Sequence, residues 1–450
     1  MHYSEFNWGQ LLAGPPAAGP PAPTTTTTAS NSIPLVAAAA LAATNSIQCP
    51  SNPYQIHFAT LGMFILDKID APERTLKFDD LLGGAGSYAV LGARLMSQAP
   101  LSSKTIGWIV DAGNDFPDDV RKDIIRWNTN VIIRENKDRK STRGGASSVE
   151  LKARRGLKSS ASGHNVYGPG DFRSFTYLTP KIRLTPADFV GTPLIDSLSF
   201  HLICSPARCM ESVKDLHARR TIAKPPIIVW EPVPDLCTPE QLVACAEAIR
   251  GVDIFSPNAS ELGALCSTPA HLAEDPQHIQ KNAEKLFLCG VGPQLDGPVI
   301  VRAGSKGCYV RYNKGKLWLP AYYAAPYEKP TEVADPTGGG NCFLGALAVQ
   351  YARCGDLIYS VLCANVAASF AIWQLAFPQL AHSSLDKLEP STSRQFPKTL
   401  PLMPVANEKA VETWPKESVS HRLEKYVYRK DVLASLEKIG YQLVPPAAGT

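Results

Sequence analysis

The sequence predicts an α/β domain, in which a largely parallel β-sheet is covered by helices on both faces. Two observations lead to this fold class. Short apolar runs alternate with segments of helical pattern, as in sheets buried on both faces. Two glycine clusters each stand directly before a helical pattern. Because ligands of such sheets bind at the carboxyl ends of the strands, we expect the functional site at that edge.

The predicted elements follow in chain order. Continuous apolar runs bounded by turn residues are typical of buried strands, and they cover residues 56–61, 105–110, 198–204, 226–230, 252–255 and 299–301. Helical patterns cover residues 88–96, 239–249, 261–266, 343–351 and 418–438.

Composition excludes several classes of protein. The 450 residues suffice for one large domain or two ordinary ones, and a hydrophobic content of 44% with 19% charged residues is ordinary for a protein with a core. The 45 basic and 41 acidic residues nearly balance, which argues against a protein that chiefly neutralises nucleic-acid phosphates. We therefore predict no nucleic-acid partner, and the sequence does not indicate an oligomeric state.

Cysteine usage and the early chain indicate the compartment. The eleven cysteines form neither a Cys-x-x-Cys pair nor a close Cys/His cluster, so a disulfide scaffold or structural zinc site is not expected. No apolar run reaches the roughly 18 residues of a membrane span. No Lys or Arg precedes Lys68, which argues against a signal or transit peptide. We predict a cytoplasmic protein without a membrane partner.

Three segments are predicted along the chain. Residues 1–53 are a Pro-, Ala- and Thr-rich leader of low complexity that we expect to be disordered. Residues 54–380 form the folded domain, and residues 381–450 form a partly helical C-terminal extension. Residues 134–158 hold nine Lys/Arg against three Asp/Glu. This predicts a solvated, mobile insertion; a basic flap over a phosphate ligand or a nuclear-import tag are the alternatives.

The most informative stretch contains Gly338, Gly339 and Gly340, followed by good helix formers. Glycines weaken regular structure but permit close approach of the backbone. Backbone N–H groups at a helix N-terminus bind anions with help from the helix dipole. The stretch therefore predicts a phosphate site, and the alternative is a flexible loop without a ligand.

A second glycine cluster, 83–86, also precedes a helical pattern. It predicts either a phosphate turn or a plain tight turn. Neither cluster fits G-x-G-x-x-G followed by an acidic residue about 20 positions later, and the P-loop pattern is absent. A dinucleotide-dependent dehydrogenase is therefore disfavoured.

Together these motifs resemble the pfkB family of ribokinase-like carbohydrate kinases. Six stretches match family motifs in the right order, at residues 62–67, 83–86, 106–113, 258–261, 301–307 and 335–341. The first of them looks like the family's first strand. Asn365 adds a position that flanks adenine in ribokinases. The resemblance spans about residues 56–375.

The resemblance implies a ribokinase-like three-layer sandwich with a mostly parallel central sheet, helices on both faces and a small lid. It also implies ATP and Mg²⁺ as cofactors and a sugar or nucleoside-like small molecule as substrate. The implied residues are Asp67, Gly83, Gly84 and Tyr88 for the substrate, Asn258 and Glu261 for the metal, Gly304, Ser305, Gly307 and Asn365 for the nucleotide, and Gly338, Gly339, Gly340 and Asn341 for catalysis.

The chain departs from the family at Asn341, where the family has its catalytic aspartate. An amide accepts a hydrogen bond but does not take a proton at pH 7. The loss of a general base is expected to slow turnover by about 10²–10⁴-fold while nucleotide binding persists. Tyr88 stands where ribokinases often have an asparagine that binds sugar, so the substrate pocket is altered too.

Two hypotheses follow from this departure: an ATP-dependent kinase of a sugar or similar alcohol, slow or with an unusual base, and a kinase-fold protein that binds nucleotide or metabolite as a regulatory scaffold. Single residues also have structural alternatives. Asp67 is suited to capping a turn, and Asn258 with Glu261 to capping a helix. Asn365 is equally compatible with a position facing solvent.

The run from Asp335 to Asn341 also resembles a divergent fungal subgroup, the maintenance-of-killer pfkB-like proteins of yeasts. That subgroup shares Pro336 and the stretches at 167–168 and 175–180. Relative to its pattern, residues 145–163 look like an insertion.

Overall fold

The structure is a computed structural model that describes residues 55–71, 76–147, 176–374, 377, 378, 380, 412–414 and 417–443. The predicted leader, most of the predicted insertion and residues 381–411 lie outside the described residues.

The strands are β1 Ala59–Thr60, β2 Ile65–Ala71, β3 Leu76–Gly83, β4 Gly107–Ala112, β5 Asn130–Glu135, β6 Arg143–Ser147, β7 Thr176–Tyr177, β8 Ser199–Cys204, β9 Ile227–Pro232, β10 Ile254–Phe255, β11 Val299–Arg302, β12 Cys308–Tyr312 and β13 Gly315–Leu319. The helices are α1 Ala85–Leu95, α2 Asp118–Arg126, α3 Pro206–Arg219, α4 Leu242–Ala248, α5 Ala259–Leu265, α6 Pro276–Leu288, α7 Gly339–Cys354, α8 Leu357–Ile372, α9 Val419–Val427 and α10 Lys430–Glu437. Among the described residues, no helix is long and apolar enough to cross a membrane.

The central sheet has the strand order β1-β8-β9-β10-β11-β12-β13. The first five strands are parallel, and β12 and β13 add an antiparallel hairpin at one edge. The parallel pair β4–β5 continues the sheet beyond β1 through a bridge between Phe58 and Ile106. Apolar side chains of these strands are buried, as expected for a sheet covered on both faces.

Helices form the two outer layers. On one side α7 packs against β8 and β9 and is flanked by α1 and α8; on the other, α3 packs on β8 and β9, and α6 on β11 and β12. Side-chain caps fix several helix starts: Ser205 accepts from Arg208 N, and Asp275 from Gln277 N. The predicted three-layer sandwich with its mostly parallel sheet is thus confirmed.

A separate four-stranded sheet, β3-β2-β6-β7, forms the small lid. Of residues 62–67, which resemble the family's first strand, residues 65–67 belong to β2 of this lid. The parallel sheet instead contains β1, which ends before Gly62, and the bend at Gly62 directs the chain from one sheet into the other.

The basic segment also differs from the expectation of a solvated insertion. Its first part contains the end of β5 and the whole of β6. Arg134 donates to both carboxylate oxygens of Asp111, at 2.9 and 2.7 Å, and Arg143 donates to Asp115 at 2.8 Å. Aspartates from other parts of the chain neutralise these arginines, which a local count of charges does not reveal.

Helices α1 and α7 cross with their backbones in contact. A Cβ atom on Gly92 would lie 1.8 Å from the carbonyl oxygen of Cys342, and one on Gly345 would lie 1.8 Å from that of Ala89. Real Cβ atoms do not approach so closely, so each contact requires glycine. Both helices begin at a glycine cluster, and this crossing therefore fixes the two clusters relative to each other.

The crossing yields the first prediction. Gly345→Ala forces α1 and α7 apart and is expected to lower the free energy of unfolding by about 1–3 kcal/mol or more, as overpacked cores do. Gly251→Ala is the control, because its Cβ would meet its nearest neighbour at 3.6 Å. Chemical denaturation measures both, and equal effects would show that the crossing does not need glycine.

Candidate functional site

The glycine turn at the start of α7 lies between an aromatic ring and a guanidinium group. Gly338 has φ +77°, and a Cβ atom there would lie 2.1 Å from the ring of Tyr88. A Cβ atom on Gly340 would lie 2.1 Å from Nη1 of Arg302. No side chain caps α7, and the first N–H groups of a helix lack intrahelical acceptors. The turn is therefore suited to an anion.

Asp335 shapes the approach to this turn. Its carboxylate is buried, and Oδ1 accepts from the backbone N of Thr337 at 2.9 Å and from its hydroxyl at 2.6 Å. Its backbone N donates to the carbonyl of Ile372 at 3.2 Å. This aspartate therefore folds the loop that presents the glycines.

Asn341 lies in the first turn of α7, and its Oδ1 is buried without a hydrogen-bond partner among the described residues. Leaving a buried acceptor unpaired costs about 1–3 kcal/mol. Such atoms in a native structure call for an explanation, and a bound donor is one. The amide is therefore available to a donor such as a hydroxyl group.

Asp67 on β2 has a second acceptor of this kind, since its Oδ1 is also buried and unpartnered among the described residues. Burial raises the pKa of Asp67 to about 7; a hydrogen bond from the Gly84 backbone opposes the rise, and the Asp335 charge adds to it. A Cβ on Gly83 would lie 1.9 Å from Oδ2 of Asp67. The second glycine cluster therefore makes room for this carboxyl group.

Tyr88 belongs to the same region through α1. Its ring is buried, stacks on Phe377 with centroids 4.1 Å apart, and contacts the Gly338 turn. The predicted substrate residues Asp67, Gly83 and Gly84 thus lie together, and Tyr88 lies against Gly338, one of the glycines predicted to be catalytic. Their functional roles stay predictions.

Asn258 and Glu261 form a reciprocal capping box at the start of α5. Asn258 Oδ1 accepts from the backbone N of Glu261, and Glu261 Oε2 accepts from that of Asn258, both at 2.8 Å. Burial raises the pKa of Glu261 to about 8 against the opposing effect of Arg302. Within the described ranges, no group of three His, Cys, Asp or Glu is arranged to hold a metal ion. The metal role of this pair stays a prediction.

A buried charge cluster beneath the glycine turn escaped the sequence analysis. It joins His201 of β8, Glu231 of β9 and Arg302 of β11. Arg302 Nη2 donates to Glu231 Oε1 at 2.6 Å, and His201 Nε2 lies 3.9 Å from Glu231 Oε2. Three atoms of the cluster are buried without a hydrogen-bond partner in the part of the chain that the structure describes: His201 Nε2, Glu231 Oε2 and Arg302 Nε.

A signal for this cluster exists in the sequence. Glu231 and Arg302 each stand near the end of an otherwise apolar strand. Charged residues at the carboxyl ends of neighbouring parallel strands point to a ligand site. The two lie 71 positions apart, so nothing local pairs them.

The predicted nucleotide segment forms the turn between β11 and β12. Gly304 and Ser305 are exposed, and a Cβ on Gly304 would meet open space. Gly307, with φ +88°, is different, because a Cβ there would lie 2.0 Å from the carbonyl of Leu319. Gly307 is therefore required by packing, while Gly304 and Ser305 remain accessible.

Asn365 does not face solvent; it lies beneath helix α9 of the C-terminal extension. Its amide donates to Cys308 Sγ at 3.5 Å, and the hydroxyl of Tyr426 lies near it. Tyr426 is fully buried and donates to the carbonyl of Pro320 at 2.5 Å. Arg429 donates to the carbonyls of the two residues that follow Pro320. The chain's own C-terminal helices thus cover this side chain.

The raised pKa of Asp67 predicts how the stability of the protein depends on pH. Because the pKa in the folded state exceeds that of the unfolded chain, the carboxyl favours folding less as pH rises between about 4 and 7. The Asp67→Asn variant lacks this titrating group and does not lose that stability. Between pH 5 and pH 8 its free energy of unfolding should therefore rise relative to that of wild type by about 1–3 kcal/mol.

Denaturant titrations at the two pH values measure this difference. Asp296→Asn, at an exposed carboxylate, controls for the removal of one charge. A difference between Asp67→Asn and wild type that stays constant with pH contradicts the buried, protonatable state of Asp67.

Comparison with known proteins identifies the family. The pattern of the pfkB family carbohydrate kinases matches residues 201–375. Over 344 residues the chain is 32% identical to Protein MAK32 of Saccharomyces cerevisiae, covering 71% of this chain and 85% of that protein. An uncharacterised protein of Schizosaccharomyces pombe is 30% identical over 381 residues, covering 82% and 92%.

A solved structure agrees at the level of the fold. Ribokinase from Giardia lamblia superposes with a TM-score of 0.51 at 14% identity, covering 72% of this chain and 94% of that one. The resemblance found in the motifs is therefore confirmed for the family and for the fungal subgroup. This chain belongs to the pfkB carbohydrate kinase family, in the fungal group that includes MAK32, and has the ribokinase-like fold.

Proposed function

We propose that this protein is an ATP-dependent phosphotransferase that acts on a hydroxyl group of a sugar or similar alcohol. The observation that carries the proposal is the pair of buried acceptors, Asn341 Oδ1 and Asp67 Oδ1, which lack partners among the described residues. Asn341 directly follows the Gly338–Gly340 cluster, and Asp67 lies against Gly83 of the other cluster. Unpaired buried acceptors beside a helix N-terminus suit a ligand that brings hydroxyl donors and phosphate groups.

Each part of the site then has a role. The phosphates of ATP lie at the N–H groups of residues 338–341, and the alcohol lies against Asp67 with the backbone of Gly83 and Gly84 close by. Tyr88 closes the site beside Gly338 and excludes water there. Phosphoryl transfer depends mainly on positioning and on neutralisation of charge, which this arrangement supports.

The transfer conserves atoms and charge as follows. The hydroxyl oxygen forms a bond to the γ-phosphorus, and the bond from that phosphorus to the bridging oxygen breaks with its electron pair leaving on ADP. The hydroxyl proton needs an acceptor. Asn341 orients the hydroxyl but does not take the proton. Asp67, whose pKa is about 7, is the acceptor we assign.

The residues present also fit a magnesium ion. Glu231 Oε2 is a buried oxygen without a hydrogen-bond partner within the described residues, and the Glu261 carboxylate lies near the same cluster through its contact with Arg302. Carboxylate oxygens are ligands that Mg²⁺ accepts, often through water. When bound there, the ion would neutralise phosphate charge.

The test of this function is ADP release from Mg·ATP over a panel of sugars and nucleosides. Wild type is expected to turn over slowly with one acceptor class. Asn341→Asp adds a second proton acceptor, at the family's base position, and should raise the rate by up to about 10²–10⁴-fold. Asn341→Ala, which removes the acceptor atom, should lower it below wild type.

Acceptor-independent ADP release, or silence of both wild type and Asn341→Asp with every acceptor, contradicts the kinase proposal. Activity of the aspartate variant alone shows a site that one residue disarms. That outcome favours the second candidate.

The second candidate is a regulatory protein that binds nucleotide or metabolite without turnover. The cover over Asn365 favours it, because the buried Tyr426 lies beside the amide that the resemblance places next to a nucleotide base. Under this function, the C-terminal helices control the binding of the nucleotide or metabolite, and the bound ligand is not converted to product.

Tyr426 gives a matched test of the cover. Tyr426→Ala opens space beside Asn365 and should strengthen ATP binding by several-fold, while Tyr426→Phe keeps the ring and should change it little. Tripolyphosphate lacks a base, so its affinity should not respond to either change. Calorimetry measures the affinities, and unfolding curves confirm that Tyr426→Ala is folded. Weaker ATP binding by Tyr426→Ala would mean that the helices build the site rather than cover it.

A further inference from the structure

Arg302 lies where the central sheet meets the glycine turn. It is the last residue of β11, at the carboxyl end of the parallel strands. A Cβ atom on Gly340 would lie 2.1 Å from its Nη1 and 3.3 Å from its Cζ. The guanidinium therefore rests against the first turn of α7. Two sources of positive potential, an arginine and a helix N-terminus, meet at one point.

The side-chain hydrogen bonds of Arg302 to described residues all use one nitrogen. Nη2 donates to Glu231 Oε1 at 2.6 Å, to the Ser256 carbonyl at 3.1 Å and to Glu261 Oε2 at 3.4 Å. Nε is buried without a partner, and Nη1 makes no hydrogen bond to any described residue. One end of the guanidinium is thus anchored, while the nitrogen facing the glycine turn is unused.

An arginine held in this way is preorganised to bind an anion. Its side chain is already fixed by Glu231, so little conformational entropy is lost when a ligand binds. Its Nε is buried without a partner among the described residues and needs an acceptor, because buried donors without partners are costly. Phosphate oxygens satisfy both guanidinium and backbone N–H donors, and arginine recognises phosphate through its planar fork.

We propose that Arg302 is a phosphate-binding residue, whose Nη1 contacts the terminal phosphate of the nucleotide at the Gly338–Gly340 turn. This inference rests on the proposed function, which takes that turn as the phosphate site. Arg302 neutralises charge on the phosphate group, as cationic residues do in phosphoryl transfer. Glu231 is its positioning residue.

The test compares ligands with and without phosphate, using the full chain. Arg302→Gln should weaken ATP and tripolyphosphate binding by about 10- to 100-fold, the size expected for a lost hydrogen bond to a charged group. Adenosine binding should change by less than about threefold. Arg302→Lys, which keeps a charge without the fork, should lose less than Arg302→Gln.

Two variants guard against a purely structural effect. Arg302→Gln leaves Glu231 without its cation, so the double variant Arg302→Gln/Glu231→Gln removes both charges. Measured without magnesium, so that Glu231 has no metal to hold, it should show the same selective loss. Arg311→Gln is the control, because Arg311 on β12 is also held by a carboxylate, Glu284 at 2.6 and 3.1 Å, but has no contact with the glycine turn. Its affinity for ATP should equal that of wild type.

The outcomes distinguish a failure of the Arg302 assignment from a failure of the proposed function. Unchanged ATP affinity in Arg302→Gln, or equal losses for ATP and adenosine, overturns the role of Arg302 and leaves the proposed function standing. Wild type that binds neither ATP nor tripolyphosphate overturns both. A selective loss in the single and double variants, with Arg311→Gln unaffected, supports the assignment.

Discussion

The two glycine clusters of the site are held in place by one helix crossing, between α1 and α7. Their backbones touch at Gly92 and Gly345, where a single methyl group would collide with a carbonyl oxygen. Each helix begins at one of the clusters, so the crossing fixes both starting points at once. The ring of Tyr88, one turn into α1, then lies against the Gly338 turn of α7. A small shift of either helix would therefore move one glycine cluster relative to the other.

Two groups of polar side chains lie around the crossing of α1 and α7. Arg302 and the N-terminus of α7 supply positive potential at the glycine turn, and Glu231 holds the arginine in position. Asp67 and Asn341 supply acceptors without partners among the described residues. In the proposed function the first group binds the phosphate, and the second orients and deprotonates the alcohol. On that proposal, the replacement of an aspartate by Asn341 lowers turnover without removing what holds a phosphate.

The C-terminal extension belongs structurally to the domain it follows. Arg94 of α1 is fully buried and binds Glu412 through two hydrogen bonds of 2.8 and 2.7 Å, although the residues are 318 positions apart. Removing one partner of such a buried pair is typically destabilising by about 3–5 kcal/mol. Tyr426 is buried against Pro320 and Asn365 at the other end of the extension. The extension therefore contacts both the α1 layer and the predicted nucleotide end.

The sequence by itself determined the fold class, the family and the departure at Asn341. Apolar runs, glycine clusters and the order of motifs can all be recognised directly along the chain, without knowing which distant residues are in contact. Tertiary structure alone decided the rest: the place of β2 in the lid, the pairing of Arg134 and Arg143, the cover over Asn365, and the cluster around Arg302. These depend on contacts between residues far apart in the chain, and a local pattern does not show which distant residues meet. Asn258 and Glu261 show the same limit, because one spacing is compatible with both a helix cap and a metal site.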